Sequence, residues 1–100
     1  MNLTSLLYPA TVRGQVALDS KKALFPLVGD IASQSLGLSA QDVSEALLER
    51  ERLGSTGFGR GIALPHAKLP DLTGVRGIFL QLARPIEFNA VDGLPVDLLF

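Results

Sequence analysis

A chain of 100 residues, 47% of them apolar, is long enough for one domain with one modest hydrophobic core. Its 9 basic and 10 acidic residues are scattered and leave a net charge of -1, so no basic stripe is present that would bind nucleic acid or a membrane surface. The absence of cysteine, of a signal peptide and of a membrane-spanning apolar run predicts a soluble protein of the cytoplasm, without membrane insertion.

The first part of the chain predicts a strand and a helix. Residues 14–18 have the alternation of a strand and follow a short Leu-rich turn or helix at the N-terminus. Asp19 or Ser20 can cap the next helix, whose apolar residues recur with a helical period up to Gly37. Pro26 falls inside that pattern, so we expect either a kink there or a helix that begins close to Pro26.

A second helix begins at Ser39 and leads to an arginine. Ser39 followed by Asp42 resembles a capping box, with aspartate in place of the preferred glutamate or glutamine. Val43, Leu47 and Arg50 share one helix face, so the face that packs its apolar residues on a sheet also directs Arg50 toward the sheet edge. We therefore expect Arg50 to lie near the segment that follows.

Residues 50–68 form the most informative segment, because they contain the only histidine of the chain. Four glycines within eight positions allow positive φ angles and let a ligand approach the backbone N–H groups. Residues 62–64 predict a buried strand, and Pro65 then stiffens the backbone before His66. An imidazole is largely neutral at pH 7, so at a strand end it can act as a nucleophile or a proton carrier.

The common nucleotide-binding and metal-binding patterns do not fit this segment. Gly54 and Gly59 have the spacing of G-x-x-x-x-G-K-S/T, but Arg60 and Gly61 stand where lysine and a hydroxyl residue are required. G-x-G-x-x-G is absent as well, and no G-x-S-x-G supports a serine nucleophile. A zinc or iron site would need several carboxylates beside the one histidine, so we expect no metal site.

Each candidate residue also has an ordinary structural interpretation. A single histidine after a proline is often a turn or surface residue, and an arginine such as Arg50 is often a solvated helix residue. The hydroxyls of Ser55 and Thr56 can cap a helix or close a turn. Taken one at a time, the residues leave these alternatives open.

The second half of the chain predicts a surface loop and buried strands. Residues 68–74 have turn chemistry throughout. Residues 75–82 are almost continuously apolar, as in a strand covered on both faces, and residues 85–88 predict a short edge piece. After a loop over 89–95, residues 96–100 predict another buried strand.

Three segments together resemble the signature of a known family. RE at 50–51, LGSTG at 53–57 and GIALPHA at 61–67 resemble the type 2 enzyme IIA domains, the fructose/mannitol class, of the phosphoenolpyruvate-dependent sugar phosphotransferase system. The likeness extends along the whole chain, and HAKL at 66–69 makes it most similar to the nitrogen-regulatory branch. The resemblance implies an α/β (α+β) fold, a three-layer sandwich of helix, mixed sheet and helix with four or five strands.

The resemblance also implies roles for individual residues. His66 would accept a phosphoryl group from a histidine-containing phosphocarrier protein, which makes the chain a transferase component without a cofactor. Arg50 would stabilise the bound phosphate, because its planar guanidinium suits phosphate geometry. Ser55, Thr56 and Gly57 would form a loop that contacts the phosphate.

The nitrogen-regulatory branch implies an output to regulatory targets, such as potassium transporters or sensor kinases. Two alternatives stay open: a sugar-specific enzyme IIA that donates phosphate to a cysteine of an enzyme IIB, and an interaction module without phosphoryl transfer. A phosphate group adds about two negative charges and changes which partner surface fits, so carrier and module can be combined.

Residues 1–100 are expected to be one enzyme IIA domain that lacks the C-terminal third of the family. The chain stops within the apolar run 98–100, whereas a charged terminus usually lies at the surface. We therefore expect a fragment of a longer protein. If it folds in this form, an uncovered sheet face and an unpaired strand edge predict a dimer or strand exchange.

Overall fold

A five-stranded mixed sheet and two helices organise the part of the chain that the computed structural model describes, residues 6–70 and 72–100. A 3₁₀ turn at Pro9–Thr11 precedes β1 Val12–Val16, α1 Lys21–Leu36, α2 Ala40–Arg52, β2 Gly57–Gly59, β3 Ile62–Ala63, β4 Phe79–Ile86 and β5 Val96–Leu99. This architecture confirms the predicted α/β class. The predicted Leu-rich turn begins in residues outside the described ranges, and no helix within them is long and apolar enough to cross a membrane.

The strand order is β1-β4-β5-β3-β2. Strands β1 and β4 are parallel, β4 and β5 antiparallel, β5 and β3 parallel, and β3 and β2 antiparallel. The short strand β3 therefore lies inside the sheet, between β5 and β2, although it has only two residues. This position fixes the backbone that leads to His66.

Helix α1 begins and ends where the sequence predicts. The Oγ atom of Ser20 accepts a hydrogen bond from the N–H of Ala23 at 3.2 Å. Gly37 ends the helix in the left-handed conformation, with φ of 70°. Leu24 and Ile31 are buried in the core cluster that the sheet strands contribute to, so α1 covers the sheet.

Pro26 lies inside α1, so the alternative in which the helix begins close to Pro26 is wrong. The proline removes one hydrogen bond, to the carbonyl of Lys22, at a cost of about 3 kcal/mol inside a helix. The neighbouring Leu24 and Phe25 are almost fully buried, and each such side chain contributes about 2 kcal/mol. Burial of this turn offsets the missing bond.

Helix α2 packs against α1 and starts at the predicted cap. The Oγ atom of Ser39 accepts a hydrogen bond from the N–H of Asp42 at 3.2 Å. Val43 and Leu47 are buried in a cluster with residues of α1. The two helices approach closely at Gly29, where an added Cβ would overlap the carbonyl oxygen of Ala40.

Two predicted strands are displaced in the structure. Strand β1 begins two residues before the predicted 14–18, because its register is set by pairing of Val12 with Phe79 in β4. Strand β4 begins four residues after the predicted start at 75 and includes part of the predicted edge piece. Leu80 and Leu82 are buried on one face of β4, whereas Gln81 between them is exposed, so the expectation of a strand covered on both faces is wrong.

The glycine-rich segment forms a β-hairpin, β2 and β3, rather than a loop followed by one longer strand. Arg60 and Gly61 have φ angles of 56° and 81°, which are typical of tight hairpin turns. The predicted strand 62–64 is shorter in the structure, because Leu64 leaves the sheet and is exposed. The hairpin brings the segment before β2 alongside the segment that leads to His66.

Candidate functional site

His66 is exposed three residues after the end of β3. Ala63, the last residue of β3, is fully buried, and its carbonyl accepts a hydrogen bond from the N–H of Phe100 at 3.1 Å. Nδ1 of His66 lies 3.0 Å from the carbonyl oxygen of Leu64. A carbonyl oxygen only accepts, so we assign the proton of the neutral ring to Nδ1, and the lone pair is then on Nε2.

An apolar cavity of about 440 Å³ adjoins the histidine. It lies between the helices and the segments around β4 and β5, and its walls include Phe25, Leu47, Ile78 and Phe100. Among the described residues that line it, His66 and Arg76 are the only ones with titratable side chains. The imidazole is therefore next to a surface suited to apolar contacts.

Arg50 lies in the last turn of α2 and is half-buried. Its Nη1 donates a hydrogen bond to the carbonyl oxygen of Gly54 at 2.9 Å. This bond uses one of the five N–H donors of the guanidinium and orients it along the segment that leads to β2. No hydrogen bond within residues 6–70 and 72–100 joins Arg50 directly to His66, so its phosphate role stays a prediction.

The predicted loop contacts are engaged within the protein. The Oγ atom of Ser55 donates to the carbonyl of Phe88 at 2.9 Å and accepts from the N–H of Gly57 at 3.1 Å. Thr56 is buried, and its hydroxyl donates to Glu51 at 2.6 Å. The structure thus gives these residues local structural roles, and their contact with a phosphate stays a prediction.

Gly57 has a steric role of its own. A Cβ at this position would approach Cα and Cβ of Ala90 to 2.7 Å, closer than two such carbon atoms are found. The carbonyl of Gly57 also accepts a hydrogen bond from the N–H of Val91 at 3.2 Å. The glycine therefore lets β2 lie directly against the segment that follows β4.

A buried ion pair between Lys21 and Glu51 was not predicted from the sequence. Nζ of Lys21 lies 2.8 Å from Oε2 of Glu51, whose side chain is 5% exposed. The same ammonium donates to the carbonyl of Phe88 at 3.1 Å and lies 4.5 Å from the centre of its ring. One feature of the sequence indicates the burial of Glu51. It follows Val43 and Leu47 at the same spacing along α2, and both of those residues are buried.

The pKa of Glu51 lies below its ordinary value. Burial by itself raises the pKa, but hydrogen bonds from Lys21 and Thr56, together with the positive charge of Lys21, outweigh that effect. Glu51 is therefore a carboxylate at neutral pH, and both of its oxygens accept hydrogen bonds.

Asp92, in the segment between β4 and β5, binds the turn of the β2–β3 hairpin. Its Oδ2 accepts the N–H of Arg60 at 2.8 Å, and Oδ1 accepts the N–H of Leu94 at 3.0 Å. These two backbone donors, that of Arg60 first, lower the pKa of Asp92. The carboxylate thus holds the turn in which Arg60 adopts positive φ.

The histidine-bearing segment is joined to the end of α2 through backbone groups. The N–H of Leu64 donates to the carbonyl of Thr56 at 3.0 Å, and the N–H of Thr56 donates to Glu51 at 2.9 Å. The carbonyl of Leu64 in turn accepts a hydrogen bond from the ring of His66.

As for metals, no group of three or more potential ligand side chains is found in the described ranges.

Comparison with known proteins gives consistent matches. The family described as "Phosphoenolpyruvate-dependent sugar phosphotransferase system, EIIA 2" matches residues 5–100. The nitrogen regulatory protein of Klebsiella oxytoca is 48% identical over 101 residues, which are 100% of this chain and 62% of that protein. The chain thus spans about 62% of the length of this curated relative.

Two solved structures extend the comparison. The crystal structure of the nitrogen regulatory protein IIA-Ntr from Neisseria meningitidis has a TM-score of 0.90 and 38% identity, covering 96% of this chain and 66% of that one. Enzyme IIA of the mannitol system from Escherichia coli, solved in a complex with phosphorylated enzyme IIB, has a TM-score of 0.78 at 19% identity, covering 93% and 66%. The second similarity concerns the fold alone.

Proposed function

The chain belongs to the EIIA type 2 family of the phosphoenolpyruvate-dependent sugar phosphotransferase system, and from this premise we propose that it carries a phosphoryl group on His66. The observation that supports the proposal most directly is the exposed imidazole, whose Nδ1–H is held by the carbonyl of Leu64 at 3.0 Å. This arrangement leaves the lone pair on Nε2, and we propose that atom as the acceptor.

The proposed donor is a phosphohistidine on a histidine-containing phosphocarrier protein. The lone pair of Nε2 attacks the phosphorus atom, and an N–P bond forms on His66. The N–P bond of the donor breaks, and its electron pair returns to the donor's imidazole. Throughout the transfer the proton stays on Nδ1 and remains hydrogen-bonded to the carbonyl oxygen of Leu64. The new phosphoimidazole therefore keeps the orientation of the free ring.

The bound phosphate requires positive charge and N–H donors. Arg50 is the proposed source of charge, because its bond to Gly54 leaves the rest of the guanidinium fork for phosphate oxygens. We retain Ser55, Thr56 and Gly57 as proposed loop contacts. Each of them would have to exchange its present partner, so we expect Arg50 to contribute more.

The proposed output is regulatory, through a change of the surface around His66. Phosphorylation places about two negative charges beside an apolar cavity, which changes the partner that this surface binds. Proposed targets include potassium transporters and sensor kinases. We propose that the protein itself is located in the cytoplasm, where it can contact them. The 48% identity to a nitrogen regulatory protein supports this branch. Dimerisation or strand exchange stays a prediction.

A second candidate function is sugar-specific transfer to a cysteine of an enzyme IIB. The description of the matching family as part of a sugar phosphotransferase system favours it. Incubation of the labelled chain with an enzyme IIB separates the candidates. Loss of label to the IIB cysteine supports sugar transfer, and retention of label supports the regulatory carrier.

Phosphoryl transfer itself is tested with phosphoenolpyruvate, enzyme I and the phosphocarrier protein. We expect an acid-labile phosphoprotein that is absent in His66→Ala. Label retained in that variant would place the phosphoryl group on another residue. A matched control is Lys68→Ala, an exposed residue two positions further along, which should be labelled like the wild type.

A further inference from the structure

The buried carboxylate of Glu51 has no part in the phosphoryl transfer described above. It lies at the end of α2 and is 8% exposed, in a chain where most charged side chains lie at the surface. Replacing a buried ion pair by apolar residues of similar volume often leaves a fold equally stable. The pair of Lys21 and Glu51 is therefore poorly explained by stability alone.

The two carboxylate oxygens of Glu51 hold one residue at two points. Oε1 accepts the hydroxyl of Thr56 at 2.6 Å, and Oε2 accepts the backbone N–H of Thr56 at 2.9 Å. Lys21 donates to Oε2 at 2.8 Å and prevents the carboxylate from rotating away. We call Lys21, Glu51 and Thr56 the Glu51 clamp.

Thr56 passes this constraint to the histidine through two further hydrogen bonds. Its carbonyl accepts the N–H of Leu64 at 3.0 Å, and the carbonyl of Leu64 accepts Nδ1–H of His66 at 3.0 Å. Five residues are thus connected in one series: Lys21, Glu51, Thr56, Leu64 and His66. A shift of Thr56 would displace the acceptor that fixes the imidazole.

We propose that Glu51, held by Lys21, is a positioning residue that fixes the orientation and the tautomer of His66 through Thr56 and Leu64. This inference rests on the proposed function only in naming Nε2 as the reacting atom. Misplacement of a reacting group by about 1 Å can lower a rate by about a hundredfold. The Glu51 clamp therefore acts on the rate of transfer and leaves the docking of the phosphate donor unchanged.

The first test measures the tautomer of His66 by long-range ¹H–¹⁵N NMR of the full chain, at a pH where the ring is neutral. The wild type should carry its proton mainly on Nδ1. Glu51→Gln should shift the population toward Nε2–H, because an amide cannot accept both hydrogen bonds of Thr56 and pair with Lys21. Glu49→Gln is the matched control, because it removes the same charge from an exposed position two residues earlier in α2.

A second pair of variants keeps the test valid where Glu51→Gln does not fold. Thr56→Val keeps the volume and the backbone N–H but loses the hydroxyl, whereas Thr56→Ser keeps the hydroxyl. We expect the tautomer to shift in Thr56→Val and to stay as in the wild type in Thr56→Ser. A residue that only supports the fold would not produce this rescue. Identical tautomers in Thr56→Val and Thr56→Ser would overturn the proposal.

The second test is single-turnover transfer from the phosphorylated carrier protein at increasing carrier concentration. Glu51→Gln should lower the maximal rate about tenfold or more with an unchanged half-saturating concentration, while Glu49→Gln leaves both unchanged. Equal maximal rates in these two variants, or a change in half-saturation alone, would overturn the proposal. The tautomer measurement needs no donor, so a wild type that takes no label contradicts the proposed function without deciding the role of the clamp.

Discussion

Nζ of Lys21 lies 2.8 Å from Oε2 of Glu51, which joins the first residue of α1 to the last turn of α2. Both side chains are largely withdrawn from water, with 21% and 5% of their surface exposed. The two helices are therefore connected at this end by charge as well as by apolar packing.

Removing the ammonium should lower the stability of the protein. In Lys21→Met the carboxylate of Glu51 is left buried without its counter-ion, and breaking such a pair costs about 3 kcal/mol. Urea denaturation measures the free energy of unfolding. Lys22→Met, at the exposed neighbouring position, is the control and should change it by less than about 0.5 kcal/mol. Equal midpoints for the two variants would contradict the assignment of this ion pair.

Acid should destabilise the wild type more than Glu51→Gln. The pKa of Glu51 is lowered in the folded protein, so its contribution is complete above the ordinary value of 4.5 and is lost as the pH falls through the lower folded pKa. Thermal unfolding between pH 7 and about pH 3 measures the effect. The Tm difference between the two proteins should narrow below about pH 4.5. Asp92 titrates in both proteins, so it does not affect the comparison. A constant difference would contradict the lowered pKa.

Gly29→Ala should destabilise α1, although alanine is the better helix former. In an open helix position this change stabilises by about 1 kcal/mol. Here the added Cβ overlaps the carbonyl oxygen of Ala40, so we expect a loss of about 1 to 3 kcal/mol as the helices separate. Chemical denaturation of Gly29→Ala and of Ser33→Ala, on the exposed face of the same helix, makes the comparison. A more stable Gly29→Ala would show that the helices are not in close contact there.

Arg50→Lys should slow phosphoryl transfer by about tenfold, and Arg50→Ala by about a hundredfold. A lysine keeps the charge but loses the planar fork that can bind a phosphate and the carbonyl of Gly54 together. The rate is measured by transfer from the phosphorylated carrier protein. Arg52→Lys, in the same helix turn but exposed, is the control. Equal rates for Arg50→Lys and Arg52→Lys would show that Arg50 does not stabilise the bound phosphate.

Local signals predicted much of the fold. The caps at Ser20 and Ser39 and the glycine stop at Gly37 act within a few residues, so the sequence places both helices correctly. Features set by distant residues were not predicted. The start of β1 depends on pairing with Phe79, and the burial of Glu51 depends on Lys21, thirty positions earlier in the chain.

In the candidate site, too, features with a local signal were predicted, and features set by distant residues were not. Its motif predicts His66 and Arg50 as site residues, and both lie in segments that flank the β2–β3 hairpin, but their roles stay predictions. The hairpin itself was missed, because Arg60 adopts a positive φ that its residue type does not indicate. The donors of Ser55 and Thr56 were expected to face a ligand, whereas Phe88 and Glu51 engage them in the structure. Phe88 comes from a distant segment, so no local pattern reveals that contact. Glu51 is only five residues from Thr56, and the one local signal for its burial is its spacing after Val43 and Leu47.

The proposed acceptor atom is tested most decisively by ¹⁵N NMR of the imidazole of His66 after incubation with phosphoenolpyruvate, enzyme I and the phosphocarrier protein. We predict a phosphoryl group on Nε2, with the proton retained on Nδ1 beside the carbonyl of Leu64. A phosphoryl group on Nδ1, or on any residue other than His66, would show that Nε2 of His66 is not the acceptor.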